Sequence, residues 1–226
     1  MRRVLSRVSR SIANSAGVAG KSLASATLVA MRIALTALAA LALVVVIAAG
    51  ARQASNSAGA SPSAALSRAE VSKPIPAAPA ELAALHRQVN VLRDGGRDAF
   101  EAQLRALRGH PVVVNFWASW CGPCQRELPA FQRQAVKRGA QVAFLGVNVS
   151  DDRAQARQLA AEIPMPYPSF TDPKEAIVTG RFGAGRLPVT AFFDAAGKLV
   201  IVHQGEFPSE AQLAAAIERY ALRAPA

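Results

Sequence analysis

The sequence predicts an α/β domain built on a central mixed β-sheet flanked by helices. Two short runs, "PVVVNFWA" at 111–118 and "QVAFLGVNV" at 141–149, are almost wholly apolar and rich in β-branched residues. That composition marks strands covered on both faces. Segments with helical periodicity follow each of them. Towards the C-terminus, "PVTAFFD" and "KLVIVHQG" flank Ala195-Ala196-Gly197, the pattern of a β-hairpin. Strands alternating with helices and closing on a hairpin imply a mixed sheet with helices on both faces.

In chain order, residues 1–32 form a basic segment that is expected to be cytoplasmic. Arg2, Arg3, Arg7, Arg10, Lys21 and Arg32 put +6 on residues 1–50, where no acid occurs. From 33 to 50 the sequence "IALTALAALALVVVIAAG" runs for 18 residues without a charge. That is about the shortest run that crosses a bilayer as a helix. All the flanking positive charge precedes it, so the positive-inside rule exports the chain beyond residue 50. The expectation is a single N-terminal transmembrane helix acting as a signal anchor, because the region before it is long for a cleavable signal. The alternative is a secreted protein whose translation starts at Met31, with cleavage near Ala49-Gly50-Ala51. "RRVL" at 2–5 stands too far from the apolar run to serve as a twin-arginine signal. Both readings place the domain outside the cytoplasm.

Residues 51–80 are rich in Ala, Ser and Pro and poor in large apolar side chains, which predicts a disordered linker. The folded domain is then expected over 81–226. "ELAALHRQVNVL" reads equally as helix or strand and ends at Gly95-Gly96. "RDAFEAQLRALRG" places Phe100, Leu104 and Leu107 on one helical face. After the first strand a helix runs from about Cys121 to Lys137. After the second, "SDDRAQARQLAAEI" is a helix capped by Ser150 or Asp151. The last helix opens on Ser209 and Gln212 as a capping box, with Leu213, Ile217 and Tyr220 on one side.

The chain carries 26 basic and 15 acidic residues for a net +11, of which only +5 falls beyond residue 50. The basic residues of the folded part do not interleave with aromatics, so nothing points to nucleic-acid binding.

Both cysteines, Cys121 and Cys124, fall in "WASWCGPCQRELP". A structural staple across so short a loop constrains the unfolded chain little. A zinc site needs two further ligands, and His86, His110 and His203 are scattered. A copper-delivery role needs only the two thiolates and one histidine, such as His203, and stays open. A reversible redox couple has positive physics behind it. Cys121 lies where a strand gives way to a helix, and unpaired N–H groups with the helix dipole favour its thiolate. Cys124 returns to the same face one turn later and can resolve a mixed disulfide. Pro123 falls in the first turn, where its missing N–H is not needed. Gly122 keeps access open, and Trp120 shields the disulfide. His203 is expected to face outward on its hairpin strand, and Asp151-Asp152 reads as a helix start.

"VVVNFWASWCGPCQRELP" resembles the active-site strand, motif and helix of the thioredoxin superfamily. Pro129 matches the proline inside the active-site helix, and "RLPVTAFFD" is similar to the segment that carries a cis-proline. The resemblance spans about residues 85–224. It implies a thioredoxin-like fold in which Pro188 is cis and packs beside the disulfide, leaving the Leu187 backbone to pair with an extended substrate segment. The extra helix and strand within "SDDRAQARQLAAEIPMPYPSFTDPKEAIVTGRFG" resemble the membrane-anchored TlpA/ResA/CcmG-like branch. Asn115 and Phe144 stand where thioredoxin has its buried aspartate and that residue's lysine partner. Glu127, three residues after Cys124, matches a functional glutamate of this branch, which implies that it takes the Cys124 proton. Its other reading is a solvated helix carboxylate. Val189-Thr190 departs from the CcmG-like proteins, which carry an acidic residue after the proline. The resemblance implies an extracytoplasmic thiol-disulfide oxidoreductase that reduces exported proteins and needs no cofactor beyond its own disulfide. Its partners would be protein thiols and disulfides and a membrane electron donor of the DsbD type. A copper-binding chaperone for oxidase assembly is the alternative, and a peroxidase fits less well because its reactive cysteine would sit in a different motif.

Overall fold

The computed structural model describes residues 65–223. The expected membrane span at 33–50, the basic segment before it and the linker as far as residue 64 lie outside them. Among the described residues no helix is long and apolar enough to cross a membrane.

The elements run in chain order as α1 (Arg68–Val71), α2 (Ala80–His86), β1 (Leu92–Arg93), α3 (Gly96–Ala106), β2 (Val112–Trp117), α4 (Gly122–Arg138), β3 (Ala143–Val149), α5 (Arg153–Glu162), β4 (Ser169–Asp172), β5 (Val189–Phe193), β6 (Leu199–Gln204) and α6 (Glu210–Ile217), with a closing π-turn over Glu218–Leu222. The six strands lie in the order β1-β4-β3-β2-β5-β6. β2, β3, β4 and β1 are parallel, β5 is antiparallel to β2, and β6 is antiparallel to β5. This is the mixed sheet of a thioredoxin-like fold that the sequence predicts.

Every residue of β2 and of β3 is buried, which is why both read as unbroken apolar runs. Alternate side chains then enter two cores. One face places Val113, Trp117 and Phe192 against Leu128 and Phe131 of α4 and Leu213 and Ile217 of α6. The other places Val114, Phe116, Leu145 and Val147 against Leu82 and Leu85 of α2 and Phe100 of α3. The register Phe116↔Val189 brings the start of β5 to the C-terminal end of β2, so residues 187–188 lie at the end of the sheet where the cysteine loop begins.

Two expectations need correction, and one open reading is resolved. Residues 65–80 contain α1, whose Val71 is fully buried, so the described fold starts ahead of Glu81. The stretch is short of apolar residues, but one turn of helix needs only one or two anchors. The cap of α5 is Asp152, whose carboxylate accepts from Ala154 N at 2.9 Å and Gln155 N at 3.0 Å. Ser150 is instead in the left-handed region at φ 45°, and Asp151 serves the cysteine loop. The stretch 81–92 resolves into both readings in turn, α2 followed by β1.

Candidate active site

The cysteine loop leaves β2 at Trp117 and enters α4 at Gly122. Its approach is fixed by hydrogen bonds. The Asp151 carboxylate accepts from the Ser119 backbone N–H at 2.6 Å, from the Ser119 hydroxyl, and from Asn148 Nδ2 at 2.7 Å. The Trp120 indole N–H donates to the Ser150 carbonyl at 3.0 Å, and the ring stands 60% exposed. Trp120 shares a cleft of about 320 Å³ with Val149, Glu175, Val178, Arg186 and Leu187.

Cys121 is the N-cap of α4, and its sulfur accepts from the Cys124 N–H at 3.2 Å. The two sulfurs form a disulfide with Cα atoms 5.3 Å apart. Cys121 is 3% exposed and Cys124 fully buried, so an incoming sulfur reaches Cys121 first. A thiolate released at Cys121 would lie against the free N–H groups of the first turn, which lowers its proton affinity. Pro123 lies within that turn and Pro129 inside the helix. A Cβ at Gly122 would meet only the Arg126 guanidinium at 3.8 Å, so packing does not demand glycine there. The Leu187–Pro188 peptide is cis. Pro188 is buried, while Leu187 is half-buried and packs against the cluster that holds both cysteines.

Glu127 is 2% exposed, which excludes a solvated helix carboxylate. It lies one turn beyond Cys124 on the same face of α4. Its Oε1 accepts from Asn115 Nδ2 at 3.1 Å and its Oε2 from the Phe207 N–H at 3.1 Å. Burial pushes its pKa up to about 8. The Phe207 and Asn115 donors pull the other way, and the nearby Glu206 charge adds to the rise. A carboxyl that titrates near neutrality is suited to exchanging a proton with a cysteine sulfur.

His203 does not face outward. Its Nε2 is buried without a partner among the described residues, and its ring stacks on Phe207 with centroids 4.2 Å apart. The signal lies in the register, since His203 pairs with the buried Thr190, but a polar residue near the end of a hairpin strand reads first as solvent-facing. Among the described residues no group of three or more His, Cys, Asp or Glu side chains forms a metal site. Cys121, Cys124 and His203 are thus not gathered as one.

A disulfide at a helix N-terminus, a cis-proline at the same end of the sheet and a buried carboxyl one turn past the second cysteine make up a thioredoxin-like arrangement. The sequence matches the Redoxin family over residues 71–217, and the chain belongs to that family. It is 30% identical over 117 residues to the thiol-disulfide oxidoreductase ResA of Geobacillus thermodenitrificans, covering 49% of this chain and 63% of that protein. It is 36% identical over 91 residues to the thiol:disulfide interchange protein DsbE of Pseudomonas fluorescens biotype C, covering 40% and 49%. These matches span less than two thirds of either relative. Among solved structures, a thiol:disulfide interchange protein of the thioredoxin family from Chlorobium tepidum is similar at 25% identity and TM-score 0.44, over 51% of this chain and 83% of that one.

Proposed function

We propose that this protein is an extracytoplasmic thiol-disulfide oxidoreductase that reduces disulfides in exported proteins through Cys121 and Cys124. The observation that carries the reading is the placement of Cys121 at the start of α4 with Glu127 buried one turn past Cys124. In the reduced protein the Cys121 thiolate attacks a substrate disulfide. A Cys121–substrate disulfide forms, and the other substrate sulfur leaves as a thiolate. Cys124 then gives its proton to the Glu127 carboxylate and attacks the Cys121 sulfur. The second substrate sulfur departs, and two electrons have passed from the dithiol to the substrate. When a donor reopens the Cys121–Cys124 bond by attack on Cys121, protonated Glu127 returns the proton to the Cys124 sulfur.

Trp120, Gly122, Pro123 and Leu187 form the substrate face in this reading, with the Leu187 backbone pairing to an extended segment beside the cis-proline Pro188. Recharging by a membrane donor of the DsbD type, and a membrane anchor at 33–50, complete the proposal. The experiment is reduction of insulin by dithiothreitol with catalytic amounts of the protein. Cys121→Ser is expected to abolish catalysis, and Cys124→Ser to accumulate mixed disulfides with protein substrates. Stoichiometric Cu(I) uptake without any reductase turnover would replace this reading with the copper chaperone.

A further inference from the structure

Three buried polar atoms that lack a hydrogen-bond partner among the described residues stand in one row. They are Asn115 Oδ1, Thr190 Oγ1 and His203 Nε2. Asn115 pairs with Thr190 across β2 and β5, and Thr190 pairs with His203 across β5 and β6. Residues opposite each other in a sheet project from the same face at a spacing of about 5 Å. The face is the one covered by α4, because Asn115 holds Glu127 there. A second connection runs alongside. Phe207 donates its N–H to Glu127 and stacks its ring on His203, so one residue positions both ends of the row. Orphaned polar groups of this kind are costly unless something completes their bonding, and here three of them are adjacent.

We propose that this row is a proton path, with Glu127 at its inner end and His203 as its port to solvent. The proposal rests on the reading that Glu127 takes the Cys124 proton. Glu127 is almost closed to solvent, and a bound substrate covers the Cys121 side, so exchange of its proton with bulk solvent between the steps of the cycle needs another route. His203 is half-buried and therefore reaches solvent beyond its buried Nε2. An imidazole can accept a proton on one ring nitrogen and release one from the other. The step balances. The proton leaves the Glu127 carboxyl and passes by way of the Thr190 hydroxyl and an internal water bonded to the orphaned atoms. It arrives at Nε2, and the imidazolium then loses a proton to buffer. Glu127 is left as the carboxylate, and the same path run in reverse supplies the proton that reopening of the disulfide needs.

Other titratable groups around Glu127 do not offer this route. Glu206 faces it but is held by Arg126 at 2.6 Å, and Tyr167 is fully buried with its proton held more tightly than usual. Glu210, on α6, is taken up by Arg133 and by Gln134 at 2.7 Å.

The test follows the rate of disulfide opening by dithiothreitol in the full chain between pH 5.5 and 9, using stopped-flow tryptophan fluorescence, with the reduction potential measured beside it. His203→Gln is expected to slow the reaction by about tenfold at the alkaline end of the range, where Glu127 starts as the carboxylate and must be reprotonated, with the potential unchanged. Thr190→Val, which keeps the side-chain shape, should act in the same direction. Because the groups act in series, Glu127→Gln/His203→Gln should be no slower than Glu127→Gln alone. Added imidazole should restore part of the His203→Gln rate. A His203→Gln rate within about twofold of the wild type at every pH would overturn the path while leaving Glu127 its role. So would losses that add in the double variant, or a shifted potential, either of which marks a structural residue. A wild-type rate in Glu127→Gln would sink the underlying reading and the path together.

Discussion

Glu127 sits between two donors, Asn115 Nδ2 and the Phe207 N–H, yet its pKa is high because burial outweighs both. Neither donor is charged, and two neutral hydrogen bonds do not replace the hydration that a carboxylate loses in a protein interior. The consequence for stability has a definite sign. A carboxyl whose pKa is raised in the fold stabilises the protein fully below its unfolded value near 4.5, and that contribution is lost as the pH rises towards 8. The loss is on the order of 4 kcal/mol for the oxidised protein. Glu127→Gln is therefore expected to flatten the stability profile between pH 5 and 9, as measured by urea denaturation. It should sit below the wild type at pH 5, because an amide offers only one acceptor to two donors. A variant whose stability declined as steeply as the wild type would show that another group carries the titration.

At the level of elements, β2, β3 and the start of α4 were legible because one physical cause dominates each. β2 and β3 are buried on both faces, so their sequences are continuous apolar runs. Cys121 and Cys124 announce a helix start because proline sits between them and the strand stops just before them. The misread elements are those where a tertiary contact outranks local pattern. Ser150 and Asp151 look like caps, but Asp151 is drawn away to Ser119 and Asn148, and Asp152 takes the position. His203 is polar on a strand whose two faces are both largely apolar, and only its cross-strand partner reveals the inward turn. Within β3, Gly146 marks close approach of a neighbour, as a glycine inside a strand does. A Cβ there would lie 2.0 Å from Ser169 Oγ and 3.1 Å from Trp117 Nε1. It would thus strike the hydrogen bond that joins Trp117 to Ser169 at 3.0 Å across the core. Gly146→Ala is expected to destabilise the fold by about 3 kcal/mol, read from its denaturation midpoint. Adding Ser169→Ala should recover only part of the loss, because the Ser169 Cβ itself lies 2.9 Å from the new methyl.

For the molecule as a whole, a mixed sheet with helices on both faces was readable from the alternation of strands and helices and from the hairpin signal, whereas the strand order and the N-terminal boundary were not. Composition located the linker at 51–80, but composition averages over residues and misses a few well-placed anchors. Val71 is fully buried, and Ile75 packs so closely on Gly139 at the end of α4 that a Cβ on that glycine would lie 2.2 Å from its Cδ1. Leu66 exchanges backbone hydrogen bonds with the Gln132 side chain, its N–H donating at 2.9 Å. The buried His86 ring meets the Lys73 carbonyl at 3.1 Å, and burial holds its pKa below the usual histidine range. Residues 65–80 thus hold to α4 and α2 through a few contacts, and each is lost if the chain begins at Glu81. Burying one valine contributes about 1.5 to 3 kcal/mol, and the ordering entropy of the segment offsets part of it. A fragment of residues 81–226 is accordingly expected to be about 2 kcal/mol less stable than one of residues 65–226, compared by urea denaturation of the oxidised forms. The deficit should narrow as the pH falls below the ordinary histidine value of 6.5. A histidine whose pKa is depressed by burial costs the longer fragment stability once the unfolded chain protonates, and removing residues 65–80 uncovers the ring and relieves that cost. Equal midpoints for the two fragments would mean that α1 lies on the domain without supporting it, and that the boundary belongs at Glu81 after all.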